Sequence, residues 1–164
     1  MKISQLIATV AGVGYLRPAP GTWGSLAALP LGYGLIVWGG WPLLVGMAVV
    51  AFVAGTWATG VETRGKANHD PSEIVIDEVV GQWIALLPVA YGAGMMGVAP
   101  ERLWPGWVAA FVLFRLFDIT KPWIVGWADR RDDAMGVMLD DVFAGALAAL
   151  GVIVSGAAYH MVFM

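Results

Sequence analysis

The sequence predicts an all-α fold: a polytopic membrane helical bundle of about five apolar helices, preceded by an N-terminal interfacial helix. Three observations carry that expectation. Of 164 residues, 59% are hydrophobic and only 13% are charged, with a mean hydropathy of +0.75. A soluble domain averages about 45–50% apolar and about 25% charged residues, so too few polar side chains remain to cover a water-facing surface. The apolar residues also fall in runs separated by two clusters of charge. Several of those runs approach the roughly 20 residues that a helix needs to cross a hydrocarbon core. The length suits one domain over residues 1–164.

The elements follow in chain order. Lys2 precedes a partly apolar stretch, 3–16, that carries Ser4, Gln5 and Thr9 and meets Arg17-Pro18. No small-x-small cleavage site follows, so the stretch reads as a retained interfacial helix. The apolar runs are 26–38, 42–60, 79–98, 103–114 and 142–164. The second, third and fifth are long enough to span; the first and fourth need to borrow flanking polar residues, tilt, or enter part way. One charge cluster comprises Glu62, Arg64, Lys66, Asp70, Glu73, Asp77 and Glu78. A second runs from Arg115 through Asp118, Lys121 and 129–133 to Asp140 and Asp141. If all five runs cross, both clusters and the Gly/Pro-rich segment at 17–24 share one membrane face. Eight Lys and Arg then lie on that face against Arg102 alone, and the positive-inside rule makes it cytoplasmic. Nine Trp, several near run ends, suit interfacial anchoring or core packing.

A net charge of −3 argues against a nucleic-acid partner, and the absence of cysteine excludes disulfides and thiolate chemistry. The chemistry must come from carboxylates. Asp77-Glu78 stands where a helix begins, and carboxylates are favoured there by the helix dipole alone. Asp140-Asp141 repeats the arrangement before an apolar run, with Gly81 and Gly145 each one turn further on. Two such pairs on one membrane face repel each other unless cations bridge them, and hard ions such as Mg²⁺ take carboxylate oxygens. Arg115, Asp118 and Lys121 recur every third residue, which sets them on one helix face. That trio is either a snorkelling pair of cations with a counter-ion, or a metal ligand, Asp118, beside an anion site at Arg115 and Lys121. Weaker signals complete the set. Gly21, Thr22 and Gly24 lie where backbone N–H groups can meet an anion just before a helix. His69 is either a proton donor or a turn residue. No nucleophile elbow, Walker loop or dinucleotide fingerprint is present.

Four segments then carry a resemblance. Residues 20–24 (Pro-Gly-Thr-Trp-Gly), 76–81 (Ile-Asp-Glu-Val-Val-Gly), 114–123 (Phe-Arg-Leu-Phe-Asp-Ile-Thr-Lys-Pro-Trp) and 138–145 (Met-Leu-Asp-Asp-Val-Phe-Ala-Gly) resemble, in order, motifs of the phosphatidylglycerophosphatase A family. The resemblance departs at Ile124, where the family often has a second proline, and in the approach at 131–136. It implies a Mg²⁺-dependent membrane phosphatase that converts phosphatidylglycerophosphate to phosphatidylglycerol in bacterial phospholipid synthesis, at the inner membrane. On this reading Asp77, Glu78, Asp118, Asp140 and Asp141 hold the metal, and Arg115 and Lys121 hold the phosphoryl group. Rival readings are a phosphatase for another lipid phosphate, such as a polyprenyl phosphate, a small divalent-cation transporter, and a structural subunit. Transport asks for ionisable groups near helix centres, whereas here they cluster near run ends.

Overall fold

Residues 1–66, 68 and 70–163 are described by a computed structural model, without the side chains of His160, Val162 and Phe163. Among the described residues there are helices and turns but no strand. The helices are α1 (Ile3–Ala8), α2 (Pro20–Glu62), α3 (Ile76–Met96), α4 (Trp104–Thr120), α5 (Ile124–Asp129) and α6 (Ala134–Phe163). Four segments are long and apolar enough to cross a membrane: α2, α3, Pro100–Thr120 and Ala134–Tyr159.

The first of these holds two crossings. Gly40 adopts φ 66°, ψ −162°, a conformation open to glycine but not to residues with a side chain, and Pro42 follows at once. The chain reverses there, as the packing on α3 shows. Gly24 lies against Val75 and Gly55 against Ile76, at the same end of α3, while the Trp41 ring meets Tyr91 near the other end at 6.0 Å. Two arms, 20–39 and 41–62, therefore flank α3 in opposite directions. This gives the five apolar helices that the sequence predicts, with the first two joined.

Each short run gains length from its flanks. The first is extended back to Pro20, which suits the first helical position because it has no N–H to leave unpaired. The fourth recruits the turn Pro100–Leu103 at one end and Arg115 through Thr120 at the other. The last helix also starts earlier than its apolar run, because the Asp133 carboxylate accepts the Gly136 N–H at 2.7 Å.

The N-terminal helix is shorter than expected and ends at Ala8. Val10, Ala11 and Gly12 all have positive φ, and the Thr9 hydroxyl accepts the Gly12 N–H, so a second turn forms only at Val13–Tyr15. This segment is tied to the bundle end: Val75 N–H donates to the Ala8 carbonyl and Ser4 Oγ to Glu62, while Ile3 and Leu6 stay exposed. The small helix α5 was not expected. Positive φ at Lys121 (44°) and Trp123 (38°) turns the chain into it, and Gly126 lets it close on the Lys121 carbonyl.

The α3 and α6 backbones approach each other closely. A Cβ on Gly145 would collide with the Gly81 carbonyl oxygen, and one on Gly81 with the Phe114 ring and the Asp141 carbonyl. Lipid tails supply no hydrophobic drive between helices, so close packing of small residues carries such a contact. It is expected that Gly145→Val lowers stability by at least about 1–3 kcal/mol, the usual effect of overpacking. Gly34 faces open space, so Gly34→Ala is expected to leave stability unchanged or slightly raised. Thermal unfolding of both variants in detergent checks this, and equal losses would contradict the packing argument.

Candidate active site

The α3–α6 crossing sets the acidic pairs side by side. Asp77 and Glu78 stand one turn before Gly81, and Asp140 and Asp141 just over one turn before Gly145. The same local device fixes the first member of each pair: Asp77 Oδ1 accepts the Glu78 N–H at 3.1 Å, and Asp140 Oδ1 accepts the Asp141 N–H at 2.9 Å. The settings differ, however. Asp77-Glu78 lies in the first turn of α3, as expected, whereas Asp140-Asp141 lies well inside α6 rather than at its head. Compensation for the second pair must come from side chains.

The end of α4 supplies it. Arg115 bonds Asp118 one turn away, and its Nη1 lies 3.9 Å from Glu78 Oε1. Lys121 does not continue the α4 face; it caps the helix in a left-handed conformation. From there its Nζ reaches both Asp140 and Asp129, each at 2.5 Å.

Two carboxylate trios result, Asp77–Glu78–Asp141 and Asp118–Asp140–Asp141, each with oxygens within 4.8 Å of one another. Asp141 belongs to both and is only 2% exposed. Five carboxylates face two cations. Asp141 Oδ1 and Glu78 Oε2 are buried and lack a hydrogen-bond donor, and an uncompensated buried charge is strongly destabilising. The clustered hard oxygen donors and their orphaned atoms fit a divalent cation.

The carboxylates border a cavity of about 240 Å³, closed on other sides by Gly21, Asp70, Ser72 and Ile74. A second cavity of about 160 Å³ shares Asp70 and Asp140 with it and adds Asn68, Asp129 and Arg131. Of the residues singled out from sequence, Gly21, Asp77, Glu78, Arg115, Asp118, Lys121, Asp140 and Asp141 line the first cavity. Thr22 and Gly24 do not. The segment 20–24 is the first turn of α2 rather than a loop before it, and Gly24 serves packing, since a Cβ there would come within 2.8 Å of Val75 Cβ. Gly21 has a steric reason at the site: a Cβ would collide with Glu78 Oε1 and lie 3.1 Å from Arg115 Nη1. His69 lies outside the described residues.

Sequence reasoning missed Asp70, Ser72 and Asp129. Both aspartates sat within charge clusters and no spacing set them apart. It also missed Gln82, which is fully buried one turn after Glu78, with neither amide atom hydrogen-bonded. A glutamine within an apolar membrane run was the available signal.

Burial raises the pKa of the Asp70 carboxyl above the ordinary carboxylate range, helped by Asp129 and Asp118 and opposed by Lys121. For Lys121, burial favours the neutral amine, but the hydrogen bonds from its ammonium to Asp129 and Asp140 outweigh it and raise the pKa above the usual lysine range. A folded pKa above the unfolded value of about 10.4 means that this stabilisation is complete below about pH 10. It fades only as pH rises through the folded value. Lys121→Met is therefore expected to lower the melting temperature equally at pH 7 and pH 9, and a loss that shrinks across this window would show the lysine titrating.

A family model described as phosphatidylglycerophosphatase A matches residues 6–155. The chain is 36% identical over 147 residues to phosphatidylglycerophosphatase A of Escherichia coli (strain K12), covering 88% of this chain and 78% of that protein. It is 35% identical over 147 residues to the phosphatidylglycerophosphatase A of Haemophilus influenzae, covering 89% of this chain and 84% of the relative. A Bacteroides thetaiotaomicron protein provisionally named a phosphatidylinositol-3-phosphatase is 36% identical over 148 residues, covering 85% of each chain. No solved structure matches the chain.

Proposed function

The chain belongs to the phosphatidylglycerophosphatase A family and is a phosphoric monoester hydrolase, and from that premise we propose that it hydrolyses phosphatidylglycerophosphate to phosphatidylglycerol and phosphate in bacterial phospholipid biosynthesis. The observation that carries this reading is the meeting of five carboxylates from α3, α4 and α6 with Arg115 at one end of an apolar bundle. A lipid phosphate enters such a site from the interface while its chains stay in the hydrocarbon.

Asp77, Glu78, Asp118, Asp140 and Asp141 would hold Mg²⁺. When bound there, the ion supplies charge neutralisation and activation of water. Arg115 meets the phosphoryl oxygens and steadies their charge as the ester bond breaks. Lys121 keeps Asp140 in place and completes the positive side of the cavity. Gly21 lets the first turn of α2 close on Glu78 and Arg115 at the wall of the cavity. The leaving glycerol oxygen needs a proton. His69 is the sequence-based candidate; Asp70 lines the cavity, and its burial favours the protonated form. The second reading, another lipid phosphate, is favoured by the third relative's name alone.

Purified protein is expected to release phosphate from phosphatidylglycerophosphate with Mg²⁺ and not in excess chelator. A panel with phosphatidylinositol 3-phosphate and a polyprenyl phosphate ranks the substrates. Asp77→Asn, Asp118→Asn and Asp141→Asn are each expected to lose about 10²-fold or more in turnover, because one missing ligand misplaces the reacting water. Undiminished activity in chelator would refute the metal reading.

The Lys and Arg asymmetry supports a site on the cytoplasmic face of the inner membrane. Single cysteines at Asn68 and Asp132 are expected to react with an impermeant thiol reagent only from the cytoplasmic side, and one at Gly97 only from the other. Labelling of Asn68 and Asp132 from opposite sides would overturn the topology.

A further inference from the structure

The first arm of α2 and the helix α4 meet at two levels. At the acidic cluster Gly21 lies against Arg115. Further along, the Tyr33 and Trp107 rings pack at 6.1 Å, and Tyr33 donates to Glu101 at 3.2 Å. Elsewhere both helices lean chiefly on α3 and α6 and touch each other little. Beside the second meeting point lies an open groove of about 270 Å³, walled by Leu29, Pro30, Tyr33, Glu101, Trp104 and Trp107. Its surface is apolar, and two of its polar groups turn to other partners: Tyr33 to Glu101, and Trp107 Nε1 to the Pro100 carbonyl at 3.0 Å.

The depth of this groove is the informative quantity. At a rise of 1.5 Å per residue, Leu29 lies about 12 Å and Tyr33 about 18 Å along α2 from Gly21. Half of a hydrocarbon core about 30 Å thick is about 15 Å, the reach of one leaflet's acyl chains. A chain whose headgroup is held at the level of Gly21 and Arg115 thus ends between Leu29 and Tyr33.

We propose that this groove binds an acyl chain of the same lipid whose terminal phosphate enters the carboxylate cluster, with Tyr33 and Trp107 bordering its far end. This rests on the lipid-phosphatase reading above. The substrate's chain is favoured over bulk lipid because the headgroup contact makes chain binding intramolecular and raises its effective concentration. Binding far from the reacting phosphate then helps hold that phosphate in place.

Two measurements test it. Phosphate release is compared for phosphatidylglycerophosphates with six-carbon and sixteen-carbon chains in detergent micelles, using wild type and Leu29→Trp. Bulk placed in the groove is expected to cut kcat/KM for the long-chain lipid by about tenfold or more, and to leave the short-chain value within about twofold. Equal losses on both lipids, or none on either, would overturn the proposal. The second measurement does not need turnover: a long-chain phosphonate analogue carrying a diazirine at the chain end is cross-linked to wild type. Adducts at Leu29, Trp104 or Trp107 that unlabelled phosphatidylglycerophosphate displaces and phosphatidylcholine does not are expected; adducts elsewhere, or displaced equally by both, would refute the groove. If wild type hydrolyses neither lipid, the functional reading fails, and the cross-link still decides the groove.

Discussion

The site depends on one close contact, the approach of the α3 and α6 backbones at Gly81 and Gly145. A single methyl group at either position would collide with a backbone oxygen of the other helix. Helices with larger residues at their contact sit about 8–10 Å apart, and separation on that scale would pull the trios out of the 4.8 Å within which their oxygens now fall. The first arm of α2 uses the same device twice more. Gly24 seats it against Val75 just before α3, and Gly21 brings its first turn against Glu78 and Arg115. The chain therefore sets three helices by glycine contacts and hangs the acidic side chains about a turn away from them.

Such a cluster works against the fold until something neutralises it. Asp77, Asp140 and Asp141 are nearly inaccessible to water, and among the described residues Arg115 and Lys121 are the cations paired with the five carboxylates. Buried like charges repel strongly where the dielectric is low. A ligand that binds the folded state and not the unfolded one adds stability in proportion to its occupancy. A cation held by these carboxylates would therefore add to the stability of the fold. The fully buried, unpartnered amide of Gln82 extends this polar layer one turn deeper into the bundle.

Much of this was legible in the sequence. The bundle, the gathering of the two charge clusters and the eight cavity-lining residues were singled out by hydropathy, run length, the acidic doublets with their glycines, the three-residue spacing from Arg115 to Lys121 and the Gly/Pro-rich start of α2. What was not legible has identifiable physical causes. The start of α6 at Ala134 depends on an Asp133 cap within a cluster of charges, where any of several residues looked suitable. The join of the first two crossings depends on the backbone of Gly40, one of two adjacent glycines. Asp129 joins the site through Lys121, whose left-handed conformation breaks the three-residue spacing that had placed it on the α4 face. Thr22 and Gly24 were drawn in by proximity to Gly21, but helical geometry turns successive residues to different sides.

The two cations can be told apart by their remaining hydrogen-bonding capacity. An ammonium has three N–H donors, and Lys121 commits two of them to Asp129 and Asp140. A guanidinium has five, and among the described residues Arg115 bonds only Asp118, while its Nε is buried with no acceptor. A phosphoryl group needs several donors at once and gains most from a planar fork. Arg115 therefore has the capacity to receive the anion, and its bond to Asp118 directs the guanidinium across Glu78 toward Gly21. Lys121 is better suited to holding Asp140 against the repulsion of Asp118 and Asp141. Spacing alone puts the two residues on one face with one role; the turn at Lys121 separates Arg115, which on the proposed reading meets the phosphoryl group, from Lys121, which holds Asp140.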